Sequence, residues 1–280
     1  FNKKSFLPYG RHNLTKRDFF NVLKVLSSSN LTQGECVPTF ENDLSNLVNA
    51  KFAVAVNSAT SALHLICLAL NLNKNDWLWT SANTFVASAN CGRYCDASID
   101  FVDINLNTGL MCIDALEKKL ELAKKTNKLP KILIAVHFAG SSCDMERIWY
   151  LSKKYNFQIV EDASHALGGS YQGYKVGNCK YSIATVFSFH PVKIITTGEG
   201  GAITTNDQKL FQKINLLRSH GITKNPEDFE NDFYNEWTYE QKLLGYNYRM
   251  SDIHASLGIS QLKRIDKIID ERNKQYNYYQ

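Results

Sequence analysis

The sequence IATVFSFHPVK, residues 183–193, places a lysine just beyond the end of a predicted strand. Its first seven residues are rich in β-branched and aromatic side chains, which is typical of a strand, and Pro191 cannot continue a ladder of hydrogen bonds. Lys193 follows among apolar side chains, whose desolvating effect would lower the pKa of its amine. A partly neutral lysine can attack a carbonyl and form a Schiff base. From this stretch alone, an exposed loop lysine is the simpler interpretation, because most lysines are solvated.

Short apolar strands alternate with helices from Phe52 onward. The strands are predicted near 52–56, 77–80, 99–103, 132–138, 157–161, 183–189 and 201–205, and the helices near 59–70, 84–92, 113–125, 144–155 and 207–219. This alternation predicts an α/β fold with a mainly parallel seven-stranded sheet and helices on both of its faces. Ligands of such sheets bind beyond the carboxyl ends of the strands, so polar residues there are the first candidates for a site.

Helical segments flank the alternating region on both sides. The apolar spacing predicts helices at 15–26 and 38–49, joined by the polar turn LTQGE (31–35), and a further helix from about Asp252. Residues 223–242 are acidic and aromatic without a clear period, and we expect a long excursion there. The expected organisation is an N-terminal helical segment (1–50), a large α/β domain that carries the site (51–222), and the excursion with its following helices (223–280).

The composition is that of an ordinary globular protein. The 280 residues are 44% hydrophobic and 21% charged, and the net charge of +5 would suit an anionic substrate, whereas scattered lysines do not form a nucleic-acid-binding stripe. The seven cysteines include no CxxC pair, so we expect free thiols in a reducing compartment and no metal site. No signal peptide or membrane-spanning run is recognisable, so a cytoplasmic location without membrane contact is expected.

Hydroxyl-bearing and aromatic residues follow the first two predicted strands. In NSATSAL (57–63), Thr60 and Ser61 open a helix, where free backbone N–H groups and hydroxyls can bind an anion. Ordinary N-capping explains the same pattern and is the simpler interpretation of this motif taken alone. After the second strand, Phe85 could stack on a planar ligand, although a phenylalanine is more often part of the core.

Polar and charged residues also follow the fifth and sixth strands. In EDASHALG (161–168), Asp162 ends a buried strand, where a carboxylate needs a cationic or hydrogen-bonding partner. A protonated pyridine nitrogen would be such a partner, and His165 could stack on the same ligand, although Asp162 could instead cap the following turn. Ser188 and Lys193 come after the sixth strand. Together, a phosphate cup, a stacking ring, this carboxylate and a Schiff-base lysine predict a pyridoxal 5′-phosphate site.

The ordered motifs resemble those of the DegT/DnrJ/EryC1/StrS family of sugar aminotransferases, which have the fold-type I architecture of aspartate aminotransferase. The resemblance runs through LTQGE, NSATSAL, EDASHALG, SFHPVK, TTGEGGAITT, RSHGI and GYNYRMSDIHASLG. It implies a pyridoxal-phosphate-dependent reaction in which an amino acid, usually L-glutamate, aminates C4 of a nucleotide-linked 4-keto-6-deoxy sugar. NSATSAL and SFHPVK with ITTGEGGA look most like the pseudaminic-acid type within the family, which implies a UDP-linked sugar.

The resemblance also implies roles for individual residues. Lys193 would bind the cofactor and move protons, Asp162 would pair with the pyridine nitrogen, and His165 would lie beside the ring as a third catalytic residue. The other cofactor contacts would come from Phe85 at the ring and from Thr60, Ser61, Ser188 and Asn247 at the phosphate, with Asn247 reaching across a homodimer that shares its active sites. Substrate contacts would come from Thr32, Gln33 and His220. Family members continue into a smaller C-terminal domain, and we expect this chain to stop near its start.

Three other interpretations stay open at this point. Some relatives use the amine form of the cofactor for dehydration, with a histidine in place of the lysine, and Lys193 argues against this. A nicotinamide-dependent sugar oxidoreductase would carry GxGxxG after the first strand, whereas Gly198, Gly200 and Gly201 lie in another context. The third is a non-catalytic protein that binds sugar nucleotides. For the substrate itself, dTDP- and GDP-linked 4-keto sugars are the alternatives to a UDP-linked one.

Overall fold

The predicted alternation of strands and helices is present in the computed structural model, which describes residues 10–230 and 235–280. The strands are β1 (Phe52–Val56), β2 (Trp77–Ser81), β3 (Ser98–Val102), β4 (Ile132–Val136), β5 (Gln158–Asp162), β6 (Ser170–Tyr171), β7 (Tyr174–Lys175), β8 (Ala184–Ser188), β9 (Gly201–Thr205), β10 (Ile222–Thr223) and β11 (Glu240–Gln241). The helices are α1 (Lys16–Leu26), α2 (Cys36–Val48), α3 (Ala59–Ala69), α4 (Ala87–Arg93), α5 (Ile113–Thr126), α6 (Met145–Tyr155), α7 (Gln208–Arg218), α8 (Asp252–Leu262) and α9 (Ile265–Tyr279).

The central sheet has seven strands within the described residues, in the order β1-β9-β8-β5-β4-β2-β3. Strand β9 runs antiparallel to both of its neighbours, whereas the other paired strands are parallel, which confirms the prediction of a mainly parallel sheet. Because β9 is reversed, its first residue lies at the carboxyl ends of the others. Gly201 accordingly pairs with Val56 on one side and Ser188 on the other.

Buried apolar side chains cover both faces of the sheet, as parallel strands require. On one face, alternate strand residues such as Val54 and Val56 pack with α3, α4 and α7. On the opposite face, Ala53 and Ala55 belong to a core with α2 and α8, and α5 and α6 cover the remaining strands. Helices flanking the alternating region therefore share the sheet's core.

The sheet edge at β1 is protected by a pair of charged side chains. The amide of Ala55 donates to Glu41 over 2.8 Å, and Arg218 donates to the carbonyl of Ala55 over 2.9 Å. Arg218 also pairs with Glu41, which closes the contact between α2 and α7. An edge strand has a free row of backbone groups, and these two side chains satisfy those at Ala55. They thereby fix the last residues of β1 before α3 begins.

Beyond the sheet, β10 and β11 form an antiparallel pair, and a 3₁₀ turn covers Pro226–Asp228. The predicted excursion over 223–242 includes residues 231–234, which lie outside the described ranges. Across the described residues, no helix combines the length and the apolar character that crossing a membrane requires. The same residues contain no cluster of three or more His, Cys, Asp or Glu side chains that could hold a metal ion.

Candidate active site

Lys193 lies in the loop that leads from β8 back to β9. The base of this loop is closed by Phe189, whose amide donates to Gly200 over 2.9 Å and whose carbonyl accepts from the amide of Thr197 over 2.9 Å. Lys193 is half-buried, and its Nζ forms no hydrogen bond within residues 10–230 and 235–280. Burial lowers the pKa of its amine, although the negative charge of Asp162 opposes this shift. The Lys193 amine therefore loses its proton at a lower pH than an ordinary lysine does.

Asp162, the last residue of β5, is only 5% exposed. The hydroxyl of Ser88 donates to its Oδ2 over 2.6 Å, and Ser164 donates to its Oδ1 through its hydroxyl at 2.6 Å and its amide at 3.1 Å. The contact to the Ser164 amide is the local turn-capping role that the sequence left open. In the part of the chain that the structure describes, no Lys, Arg or His forms an ion pair with this carboxylate. A buried anion is thus held by neutral donors, and its charge is available to a cationic ligand group.

His165 and Phe138 stand beside this carboxylate and lysine. His165 is half-buried, and burial and the charge of Lys193 lower the pKa of the imidazole against the opposing effect of Asp162. The ring of Phe138 meets that of His165 edge-on, with 6.3 Å between the centroids. The charges of Lys193 and Asp162 both act on His165, and that of Asp162 acts on Lys193, so the three side chains are near one another.

Phe85 is 72% exposed, so it is a surface aromatic and not the core residue that its type more often indicates. Its neighbour Thr84 donates to Ser88 over 3.0 Å, and Ser88 donates in turn to Asp162. This relay connects the loop before α4 to the carboxylate at the end of β5. Ser88 was not predicted from the sequence, where a serine in the first turn of a helix is unremarkable. Its complete burial is what distinguishes it.

The predicted phosphate cup lies at the start of α3. Ser58 caps the helix, because its hydroxyl accepts from the amide of Ser61 at 3.1 Å, and the Ser61 hydroxyl donates to Asn57 over 2.6 Å. N-capping is therefore realised, and the Ser61 hydroxyl is already engaged. The amides of Ala59 and Thr60 precede the first intrahelical hydrogen bond and remain suited to an anion.

Gly201 allows the sheet to approach this helix start closely. A Cβ at Gly201 would lie 2.4 Å from the nitrogen of Ala59, closer than side chains tolerate. Ser188 pairs with Gly201 in the sheet, so it belongs to the same row as the end of β1. The structure thus places Ser188 on the side of the site where α3 begins.

Asn247 is exposed and lies near the same helix start through its backbone. Asn57 donates to the carbonyl of Asn247 over 3.5 Å, and the amide of Asn57 donates to the carbonyl of Tyr248 over 2.9 Å. The backbone of Asn247 therefore lies at the rim of the phosphate cup of its own chain.

The predicted substrate residues lie on two loops. Thr32 and Gln33 are exposed on the loop before α2, where Gln33 has a positive φ of 56°. His220 is also exposed with a positive φ of 60°, and its amide donates to the carbonyl of Tyr246 over 2.8 Å. Among the described residues, none of the three forms a side-chain hydrogen bond with Lys193 or Asp162. Their predicted contact with substrate therefore stays a prediction.

A sequence model described as the DegT/DnrJ/EryC1/StrS aminotransferase family matches residues 12–280. The chain belongs to this family. A UDP-4-amino-4,6-dideoxy-N-acetyl-beta-L-altrosamine transaminase of Campylobacter jejuni is 42% identical over 275 residues, covering 98% of this chain and 68% of the relative. The Helicobacter pylori protein of the same name is 38% identical over 272 residues, covering 95% and 67%. The chain therefore spans about two thirds of the length of these DegT/DnrJ/EryC1/StrS relatives.

Solved structures show the same relationship. Helicobacter pylori PseC, an aminotransferase involved in the biosynthesis of pseudoaminic acid, matches with a TM-score of 0.82 at 38% identity, covering 92% of this chain and 66% of that one. Spr1654 of Streptococcus pneumoniae in its PLP form matches with a TM-score of 0.84 at 29% identity, covering 98% and 70%. These matches confirm the predicted PLP-dependent transferase fold, the aminotransferase class and the cofactor.

The residues of this family member fit pyridoxal phosphate. The buried carboxylate of Asp162 forms no ion pair among the described residues, and the Lys193 amine forms no hydrogen bond there. The first amides of α3 are open to an anion. Phe85 and His165 would contact the ring, and Thr60 with Ser188 would contact the phosphate. When bound, the cofactor supplies an electron sink for the carbon that carries the transferred nitrogen.

Proposed function

We propose that this chain transfers the amino group of L-glutamate to C4 of a UDP-linked 4-keto-6-deoxy sugar, on a route to a pseudaminic-acid-type surface glycan. The observation that carries the transaminase chemistry is the meeting of Lys193, Asp162 and His165 at the carboxyl edge of the sheet. The UDP-sugar transaminases of Campylobacter jejuni and Helicobacter pylori support the choice of substrate. The donor takes up one water as it becomes 2-oxoglutarate, and the keto oxygen of the sugar leaves as one water, so the overall exchange neither consumes nor releases water.

The side chains of the site divide this work. Lys193, whose pKa is lowered, would move a proton from the carbon on one side of the transferred nitrogen to the carbon on its other side. Asp162 holds a positive charge at the ring nitrogen, since its carboxylate is buried and oriented by Ser88 and Ser164. The start of α3 orients the phosphate through the amides of Ala59 and Thr60.

A dehydratase of the same fold is the less favoured candidate. Such relatives carry a histidine where this chain has Lys193, and a lysine amine with a lowered pKa suits transamination. The contact residues proposed for the sugar nucleotide are Thr32, Gln33 and His220. All three side chains are polar and exposed, so they are accessible to a hydrophilic substrate.

We also propose a homodimer with shared active sites in the cytoplasm. Phe85, Val86 and Tyr94 are 72%, 60% and 53% exposed around α4, and a second copy that covers them would remove apolar surface from water beside the site. The exposed Asn247 would then reach the partner's cofactor phosphate. A reducing compartment is supported by the seven cysteines, all of which are free.

The test supplies purified protein with pyridoxal phosphate, L-glutamate and each of the UDP-, dTDP- and GDP-linked 4-keto sugars. We expect 2-oxoglutarate to form with the highest kcat/KM on the UDP-linked sugar, and no turnover by the Lys193→Ala control. A preference for the dTDP- or GDP-linked sugar would contradict the UDP assignment and leave the aminotransferase class intact. A dehydrated sugar without 2-oxoglutarate would support the dehydratase instead.

A further inference from the structure

A buried histidine contacts both residues at the end of β5. His137 follows β4 and is fully buried, and its Nε2 lies 2.7 Å from Oε2 of Glu161. The backbone amide of His137 donates to the carbonyl of Asp162 over 3.0 Å. One residue thereby holds the side chain of Glu161 and the main chain of Asp162. Neither His137 nor Glu161 is among the site residues that the sequence predicts.

Glu161 is almost as well enclosed as the histidine, at 6% exposed. Thr185 donates to its Oε1 over 3.1 Å, and the hydroxyl of Ser182 donates to the same oxygen. Burial alone would raise the pKa of Glu161, but the contacts with His137, Ser182 and Thr185 outweigh it and lower the pKa. Glu161 is therefore ionised, and its carboxylate is hydrogen-bonded to His137, Ser182 and Thr185.

The ring of His137 donates at Nε2 in either of its protonation states. The amide of Cys143 lies 3.3 Å from Nδ1 as a donor, which requires an unprotonated Nδ1. Burial alone would lower the pKa of the imidazole, but the contacts with Cys143 and Glu161 outweigh it and raise the pKa to about 10. Both states keep a hydrogen on Nε2, directed at the carboxylate. The pairing of His137 with Glu161 thus does not depend on the charge of the ring.

The pair lies on the opposite face of the sheet from the Asp162 carboxylate. Successive strand residues point to opposite faces, and Asp162 contacts Ser88 of α4 while the Glu161 pair lies on the side of α5 and α6. A buried ion pair adds little stability compared with an apolar replacement of similar size, because desolvation offsets the attraction. Stability alone therefore does not account for a pair at this position.

We propose that His137 and Glu161 are positioning residues that fix the end of β5 and so hold the Asp162 carboxylate in line with the ring nitrogen of the cofactor. The proposal rests on the cofactor role proposed for Asp162. The pair also fixes the turn that follows His137, where Ala139 has a positive φ of 53° and Phe138 meets His165. The positions of the Asp162 carboxylate and the Phe138 ring therefore both depend on the contacts of His137.

The test compares His137→Asn, Glu161→Gln, their double variant, and Asp162→Asn as the reference for a lost ring contact. The matched control is Asp18→Asn, because Asp18 is a carboxylate only 1% exposed that pairs with Arg264 at 3.0 Å, away from the site. Each purified holoenzyme is titrated with pH at the absorbance band of the lysine-bound cofactor, and kcat and KM for glutamate are measured beside the melting temperature. If both single variants fail to fold, the milder variant Ser182→Ala is measured in their place.

Both single variants should shift the pH midpoint of the band in the same direction as Asp162→Asn. We expect kcat to fall about 10- to 100-fold with KM for glutamate within about 2-fold, since misplacement by about 1 Å costs up to that much. The double variant should match the singles, because the two residues act as a unit. Asp18→Asn should lower the melting temperature without moving the band.

Three results would overturn the proposal. The first is a midpoint that shifts in Asp162→Asn but not in His137→Asn or Glu161→Gln. This result would show that the pair does not position Asp162, and it would leave the proposed function intact. Shifts of opposite sign in the two single variants would indicate a charge effect without positioning. If the band is equally unmoved in Asp162→Asn, the proposed role of Asp162 itself fails.

Discussion

The amide of Val37 in α2 donates a 3.0 Å hydrogen bond to Oδ1 of Asp252, which lies 215 residues later at the start of α8. Oδ2 of the same carboxylate accepts from the amide of Gly34, and the amide of Asp252 donates to the carbonyl of Leu31. Asp252 is 1% exposed, so these contacts are shielded from water. A single buried residue thereby fastens both ends of the loop that carries Thr32 and Gln33, one through its backbone amide and the other through its carboxylate.

We predict that Asp252→Asn loosens this loop. An amide in place of the carboxylate turns one acceptor into a donor, which leaves the Gly34 or Val37 amide unsatisfied at a cost of about 1–3 kcal/mol. The free energy of unfolding should fall by that amount, and KM for the sugar nucleotide should rise while cofactor affinity is unchanged. Asp114→Asn is the control, since Asp114 is an exposed carboxylate with one ion pair. An unchanged KM for the sugar nucleotide would separate Asp252 from substrate binding.

The lowered pKa of Lys193 predicts how fast the cofactor attaches at different pH values. The neutral amine is the nucleophile, so the rate for apo-protein should rise with pH and level off below 10.5, the ordinary value for lysine. Asp162 opposes the shift, so Asp162→Asn should lower the pKa further and move the plateau to lower pH. Stopped-flow absorbance after mixing with pyridoxal phosphate measures both curves. A plateau that moves upward in Asp162→Asn would contradict this electrostatic assignment.

The sequence predicts the site from residues that follow strand ends, because strand ends can be recognised from apolar runs. It did not reveal what orients those residues. The predicted strand 132–138 ends at Val136, since His137 turns to Glu161 and a 3₁₀ turn follows. The predicted helix 84–92 begins later, at Ala87, because Thr84 and Phe85 lie in the turn that Ser88 closes.

Tertiary contacts also decide which hydroxyls remain free. From the sequence, Thr60 and Ser61 are equally good candidates for phosphate ligands. In the structure, however, the Ser61 hydroxyl donates a hydrogen bond to Asn57. Asn57 is in turn held by the backbone of residues 247 and 248, which lie about 190 positions away along the chain. No local pattern encodes a contact of that separation.

We predict that Lys193 is the residue that carries the cofactor. Borohydride treatment of the holoenzyme, followed by peptide mass analysis, should find the adduct on the peptide that contains Lys193 and on no other. Lys193→Ala should lower kcat by at least about 10²- to 10⁴-fold, the usual contribution of a positioned proton-transfer group. Lys180→Ala is the control, because this exposed lysine lies over the ring of Tyr174. An adduct on another lysine would overturn the assignment.

The last prediction concerns the subunit from which Asn247 acts. Its backbone contacts Asn57 of its own chain, and its side chain is exposed, so it is accessible to a second copy. If the carboxamide acts across the dimer, a heterodimer of Lys193→Ala and Asn247→Ala chains contains one site with both changes and one intact site. Mixing the two inactive proteins should then recover up to half of the activity per dimer. If Asn247 serves its own chain, each site carries one change and the heterodimer stays inactive, so turnover by isolated heterodimers distinguishes the two arrangements.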